Sequence, residues 1–437
     1  MSDSSNNFPR QPDWRPMRIA VTGGRGVPSS YSGVERICEE LFTWFVERGH
    51  HVTIYCRPQV LKEKTATHRG VRLVRTSAPG GKSGETLSHA FTSLIHATLR
   101  GDVHDGGKKF DLVSLHTIAP NLFAPIPYLA RIPIVTHVHG LDHMREKWKG
   151  IGARVIRLSE RTMLRTASDI AVVNPEITDY YRDTFSRETL LLPNGVHVTG
   201  DDFVIDPAVL TKFGLTNKKY IVTVGRLVPE KRLHDTIEAF LRADPDLKLV
   251  FVGEGPHTED YVQQLKATAD ADAKKRIVFT GLQSGTALDT LFRSAAMYVS
   301  ASELEGNPSS VMECMERRVP AILTDIAGHR PLYAPVKEYD LSFRPGDIDA
   351  LTARLKYAVQ NPKHLEDVAG HCQQHVRTQF SWPALAERTE RLYLSVVNRK
   401  GKHYPTIATT QRAGNKVCAS SRNAVEFSPT NTNTNSR

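Results

Sequence analysis

Two pairs of charged side chains stand where sequence spacing suits them to one ligand. In SELEGNPSSVMECM, Ser302 to Met315, the acids Glu305 and Glu313 flank a Gly-Asn-Pro turn that runs into a helix start. A carboxylate accepts two hydrogen bonds from vicinal hydroxyls, the arrangement a ribose or hexose offers. The backbone amides of Gly306 and Asn307 through Ser310 would lie between the acids, facing phosphates. The second pair is Arg226 and Lys231 in VGRLVPEKR. A guanidinium binds phosphate oxygens bidentately and an ammonium adds a compact charge, so together they suit a diphosphate. The competing account of both pairs is ordinary solvated charge, and Glu230 and Arg232 look like plain surface.

A third feature is the turn TGGRGVPSSYSGVER after the first apolar run. A glycine loop that opens a helix directs free N–H groups and the positive end of the helix dipole at an anion. The loop does not follow GxGxxG, because Ser29 holds the third glycine position after Gly24 and Gly26, which disfavours a nicotinamide dinucleotide. Gly33, just before the helix, is then the candidate for close backbone approach to a ligand, with a tight turn as the alternative.

These residues need elements to hold them. MRIAV (Met17 to Val21) is a short β-branched run, VERICEELFTWFVER has helical spacing at Ile37, Leu41, Trp44 and Phe45, and HVTIYC (His51 to Cys56) is the next strand. LVSL, PIVTH and IAVV continue the alternation, and it restarts at YIVTV (Tyr220 to Val224), followed by LKLVFV, IVF, AMYV and PAIL. Short apolar strands alternating with helices predict α/β architecture: two doubly wound parallel-sheet, Rossmann-like domains facing each other across a cleft. A chain of 437 residues is also too long for one core. The expected organisation is a disordered tail over 1–16, a first domain over 17–199, a linker over 200–216 and a second domain over 217–381. A terminal helix over 382–400 crosses back to the first domain, and a disordered tail covers 401–437.

Composition narrows the partners. The opening MSDSSNNFPRQPDWRP lacks the apolar centre of a secretion signal, and no run is long and apolar enough to span a bilayer, which predicts a cytoplasmic protein. The five cysteines form no CxxC pair, which argues against a zinc site or a disulfide framework. A net charge of +10 favours nucleic acid, anionic lipid or phosphorylated ligands. Nucleic acid is disfavoured, since there is no recognition-helix motif or aromatic platform and Glu305 would repel phosphates. The basic stretch 144–166, with Arg145, Lys147, Lys149, Arg154, Arg157, Arg161 and Arg165 among apolar residues, suits either peripheral contact with an anionic membrane or a solvated helix face whose apolar side is in the core.

The order of the Gly-loop helix, THVHG, PNGV, VGRLVPEKR, FVGEGP, FTGL and E-x7-E followed by VPAILTD resembles the retaining nucleotide-sugar glycosyltransferases of family four, which have the GT-B fold. The opening is similar to a subgroup of bacterial cell-surface polysaccharide enzymes that includes rhamnosyltransferases. The likeness spans about residues 17–395. It implies that Gly33 approaches the donor phosphates, that Arg226 and Lys231 neutralise the departing diphosphate, and that Glu305 holds the donor sugar while Glu313 holds the ribose. His139 in THVHG would sit by the reacting sugar, with His116 and His137 as rivals. The resemblance further implies a nucleotide-diphosphate sugar as co-substrate and transfer with retention to a glycan or lipid-linked acceptor. With two fixed cations at the diphosphate, no metal cofactor is expected, and the DxD triplets Asp270/Asp272 and Asp347/Asp349 read as surface. Departures from the pattern are His197 after PNGV, Cys314, Glu316 and Arg318 after Glu313, and GHRP at Gly328 to Pro331. A sugar-nucleotide epimerase on the same plan and a catalytically silent sugar-nucleotide binder are the alternatives.

Overall fold

The β-branched runs form two parallel sheets in a computed structural model that describes residues 14–28, 33–81, 84–141, 151–200, 202–255, 258–336 and 339–399. Of the tail expected over 1–16, residues 14–16 are described, with Trp14 held by Glu390 and Arg15 by Asp111, while residues 1–13, the expected tail over 401–437 and the part of the basic stretch before Ile151 lie outside the described residues. In the first half the strands are β1 (Arg18–Thr22), β2 (His51–Cys56), β3 (Thr65–His68), β4 (Val71–Arg75), β5 (Leu112–His116), β6 (Ile134–Val138), β7 (Asp169–Val172) and β8 (Leu190–Leu191). Their spatial order is β3, β4, β2, β1, β5, β6, β7, β8. All neighbours are parallel except β3 with β4. The second half contains β9 (Tyr220–Val224), β10 (Lys248–Val252), β11 (Ile277–Gly281), β12 (Met297–Ser300), β13 (Ala321–Thr324) and β14 (Ser342–Phe343), ordered β11, β10, β9, β12, β13, β14 and parallel throughout. Strand order reverses between β1 and β5 and between β9 and β12, the crevices where open sheets bind ligands.

The strands read from sequence reappear within a residue or two. The pair β3 and β4 and the two-residue strands β8 and β14 were not anticipated. TATH is short and mostly polar, VRLVR mixes charge into the run, and the two-residue strands stand at sheet edges, where one neighbour is enough to define them.

Each half has its own apolar core, and the first one incorporates the last helix among the described residues. Trp382, Leu385, Tyr393 and Val396 of the helix Trp382–Asn398 pack with Met17, Ile19, Phe42 and Phe45. Glu390 on that helix is buried yet satisfied: it accepts from His50 Nε2 at 2.8 Å, Trp14 Nε1 at 3.1 Å and Arg48 Nη2 at 3.2 Å. A buried carboxylate is tolerated when each oxygen has a donor.

The departures from the family pattern find structural reasons. Glu316, fully buried, accepts from Thr199 N at 2.9 Å, Thr199 Oγ1 at 2.8 Å and Arg377 Nη2 at 3.0 Å, tying the connection between halves to the helix Pro362–Gln379. The helix Ser309–Glu316 closes in a Schellman motif, with Arg318 N donating to Met315 O and Val319 N to Cys314 O. Arg318 takes the left-handed position of that motif at φ 56°, where glycine is the unstrained choice and another residue costs about 1 kcal/mol. His197 lies 3.3 Å from Glu40 on the first helix. Asp272 corrects the surface reading of the DxD triplets: it is buried and receives Arg276 Nη2 at 3.1 Å. Asp347 caps the helix Ile348–Gln360 through Ala350 N.

The described part of the basic stretch is the helix Ile151–Thr166. Ile156 and Met163 are buried against Ile118 and Val172, while Arg154, Arg157, Arg161 and Arg165 lie exposed along one face with Leu158 among them. Among the described residues no helix is long and apolar enough to cross a membrane.

Candidate active site

The turns that leave the carboxyl ends of strands in both halves touch each other. After β12, the carbonyl of Gly306 accepts from Asn174 Nδ2 at 2.9 Å and that of Asn307 from Asn194 Nδ2 at 2.9 Å. Asn174 has two jobs, because its Oδ1 also caps the helix Pro175–Phe185 by accepting from Ile177 N. Gly306 sits so close to the first half that a Cβ there would lie 2.6 Å from the carbonyl oxygen of His139. With those carbonyls engaged, no acceptor among the described residues takes the N–H groups of Gly306, Asn307, Ser309 or Ser310. The Asn307 side chain is 7% exposed and makes no hydrogen bond at either end of its amide. Free N–H groups at the start of a helix form an anion site.

Beside this loop Lys231 and Glu305 meet. Lys231 closes the short turn Pro229–Lys231 after β9, and its Nζ donates to Glu305 Oε1 at 2.6 Å. Ser302 Oγ donates to the same oxygen at 2.9 Å, Thr324 Oγ1 donates to Ser302 O at 2.6 Å, and His329 Nδ1 donates to Thr324 O at 2.9 Å. Burial pushes the Glu305 carboxyl up, but the Lys231 ammonium and the hydrogen bonds outweigh it and hold the group below its ordinary range. Burial likewise lowers the buried His329 imidazole to about 4, against the opposing charge of Glu305.

Glu313 occupies a different point of the junction. It is buried on the helix Ser309–Glu316 and pairs with Arg36 of the helix Gly33–Glu47, an ion pair between the halves. Gly33 begins that first helix, exposed, with no protein atom near enough to demand a glycine. The steric demand falls on Gly23 instead, at φ 110°, where a Cβ would collide with the backbone of His116. Arg226 is exposed and lies 3.9 Å from Glu230. The structure thus brings Lys231, Glu305, Gly306, Asn307 and His139 into one place. Glu313 comes to the facing helix of the first half, and Arg226 remains at the solvent side.

His139 belongs to a row of three imidazoles. The register of β5 and β6 sets His116 opposite His137, with rings stacked at 4.7 Å, and His116 Nδ1 lies 3.0 Å from His139 Nε2. Burial drives His116 well below its ordinary pKa and His137 to about 3, so both are neutral. Among the residues that sequence reasoning missed, Asn194 stood in PNGV and Asn174 preceded a proline as a helix cap. Arg36 and Tyr393 carried no local signal, since their partners are remote in sequence, and Ser302 stood three residues before Glu305 in the stretch already singled out.

A cavity of about 490 Å³ opens at the carboxyl ends of β9, β10 and β11, lined by Leu227, Gly253, Glu254, Gly255, Val262 and Phe279. A larger one, about 1090 Å³, lies at the opposite edge of the second sheet beside Lys219, Leu247 and Pro320, remote from these side chains.

Comparison with known proteins agrees with the two-domain fold. Residues 32–195 match the glycosyl transferase 4-like domain, and residues 210–373 match the glycosyl transferases group 1 family. The putative teichuronic acid biosynthesis glycosyltransferase TuaC of Bacillus subtilis is 25% identical over 292 residues, covering 65% of this chain and 71% of that protein. The UDP-Gal:alpha-D-GlcNAc-diphosphoundecaprenol alpha-1,3-galactosyltransferase of Escherichia coli is 25% identical over 308 residues, covering 67% and 77%. Among solved structures, Anabaena HepE in complex with UDP and glucose superimposes with a TM-score of 0.69 at 16% identity, covering 87% of this chain and all of that one. With two matched domains in this order, on two facing Rossmann-like halves, the chain belongs to the group 1 glycosyl transferases of GT-B fold.

Proposed function

We propose that this protein moves a sugar from a nucleoside-diphosphate donor onto a glycan or lipid-linked acceptor in cell-surface polysaccharide assembly, with retention and without a divalent ion. The observation that carries the reading is the contact of Lys231 with Glu305 at 2.6 Å, at a strand-order reversal and beside unengaged loop amides. Breaking the bond between sugar and phosphate leaves negative charge on the diphosphate, and preorganised cations and amides stabilise it without reorientation. Lys231 and the amides of Gly306 to Ser310 supply that field, and Arg226 adds a guanidinium from the solvent side. Glu305 accepts from the sugar hydroxyls, Glu313 from the ribose, Gly33 lets the donor phosphates approach the first helix, and the 490 Å³ cavity takes the base. The relatives named for polysaccharide assembly and for a diphosphoundecaprenol-linked acceptor support the acceptor class.

A thermal-shift screen across UDP, GDP, ADP and dTDP tests donor binding. A ligand at a hundred times its Kd stabilises the folded chain by about 2.7 kcal/mol. Arg226→Ala should weaken the selected nucleotide by about tenfold, the worth of one hydrogen bond to a charged group. Wild-type affinity in that variant would remove Arg226 from the site.

Turnover of the selected donor, followed by NMR of the product's anomeric centre with and without chelator, checks the chemistry. A product with the donor's anomeric configuration and a chelator-insensitive rate are expected. An inverted product or a rate abolished by chelator would overturn those two parts.

A further inference from the structure

The imidazole row does not end at His116. His116 Nε2 lies 3.2 Å from Ser114 Oγ, Ser114 Oγ lies 2.7 Å from Tyr393 Oη, and Tyr393 Oη lies 2.8 Å from His137 Nε2. Together with the contact of His116 to His139, this is a hydrogen-bonded wire from His139 to His137 that passes through Tyr393 of the terminal helix. Each hydroxyl has one proton and each neutral imidazole has one N–H, so the wire runs in one of two directions. Burial keeps His116 and His137 uncharged, which excludes a doubly protonated ring at either position.

The chemistry of the links chooses the direction. A phenol is a better donor than an aliphatic hydroxyl, and an imidazole nitrogen is the strongest neutral acceptor in the wire. Tyr393 O–H therefore donates to His137 Nε2. The Tyr393 oxygen then accepts from Ser114, Ser114 accepts from His116 Nε2–H, and His116 Nδ1 accepts from His139 Nε2–H. We propose that Tyr393 and Ser114 are positioning residues that act through His116 to set the tautomer of His139, protonated on Nε2 and with Nδ1 left as an acceptor. Its use rests on the transferase reading, in which an accepting ring nitrogen suits a donor-sugar hydroxyl and is mismatched with a hydrogen-bond acceptor. The tautomer itself is a property of the ligand-free chain.

The sequence pattern around β5 and β6 is consistent with this. A buried parallel strand is ordinarily apolar throughout, yet Ser114, His116, Thr136 and His137 are all buried. Thr136 has a separate partner, donating to Asn121 Oδ1 at 2.8 Å. The other three polar side chains all serve the wire, and a partly satisfied network would destabilise the core.

Histidine-selective ¹⁵N labelling of the full chain, with His139 assigned by loss of its signals in His139→Gln, reads the tautomer from long-range proton–nitrogen correlations. Wild type is expected to show His139 protonated on Nε2. Tyr393→Phe keeps the ring against Phe45 and His137 but removes the hydroxyl, and Ser114→Ala cuts the wire in the middle. In both, the second tautomer of His139 should appear beside the first. His139 protonated on Nδ1 in wild type, or unchanged signals in the folded variants, would overturn the proposal. Ser114→Ala keeps the test decisive if Tyr393→Phe fails to fold. No turnover is read, so the result is independent of whether the chain transfers sugar.

Discussion

Lys231→Ala is expected to lower donor turnover by about 10²- to 10³-fold, the loss found when one preorganised donor to a developing anion is removed. The same change leaves Glu305 without its ammonium while Ser302 and the surrounding packing remain. Each side chain of the pair is only 16% exposed, so the uncompensated carboxylate should cost about 3 kcal/mol, the low end for a broken buried pair. The pH dependence separates this from a general packing defect. In wild type the folded-state pKa of Glu305 is depressed, so the pair's contribution is present above the ordinary carboxylate range and is lost as pH falls through the folded value. In Lys231→Ala burial, the largest influence on Glu305, is no longer outweighed and the folded pKa rises, so destabilisation is greatest at neutral pH and is relieved on acidification. The Tm gap between wild type and variant should therefore narrow from about pH 7 to about pH 4. Adding Glu305→Gln should restore stability and leave turnover low. Near-wild-type turnover in Lys231→Ala would sink the assignment of the leaving-group cation.

Gly306→Ala should act through geometry alone. Its Cβ would stand 2.6 Å from the His139 carbonyl oxygen, so the loop or the facing strand end must move. A displacement approaching 1 Å at a reacting centre costs about 10²-fold, and that loss is expected in kcat/KM with the donor sugar. Binding of the free nucleoside diphosphate should stay within a few-fold, because Lys231 and the cavity at β9 to β11 belong wholly to the second half. The two asparagine clamps on the loop carbonyls would be strained, which should show as shifted NMR signals of the Asn174 and Asn194 side-chain amides. Unchanged kcat/KM would mean that the contact between halves at Gly306 is not the reactive geometry.

Much of this was readable before any coordinates. Apolar runs of four to six residues, separated by helix-length segments, specify buried parallel strands wherever both faces are covered. A cation or acid placed a few residues beyond such a run must lie at the carboxyl edge of a sheet. That is why Lys231 and Glu305 were legible although 74 residues separate them. Strands toward the sheet margins were harder, since β4 mixes arginine with valine and leucine and β8 is only two residues long.

What the sequence by itself determined is the existence of two sheets, the edges at which chemistry collects, and the residue types presented there. Only the tertiary structure decided the partners. Glu313 faces Arg36 across 277 positions, Asn174 reaches Gly306 across 132, and Tyr393 reaches Ser114 across 279. Local propensity acts over a few residues, whereas these contacts depend on how two sheets and one returning helix pack. The same packing left Arg226 in solvent and made Glu316 a buried clamp, distinctions that charge and spacing do not contain.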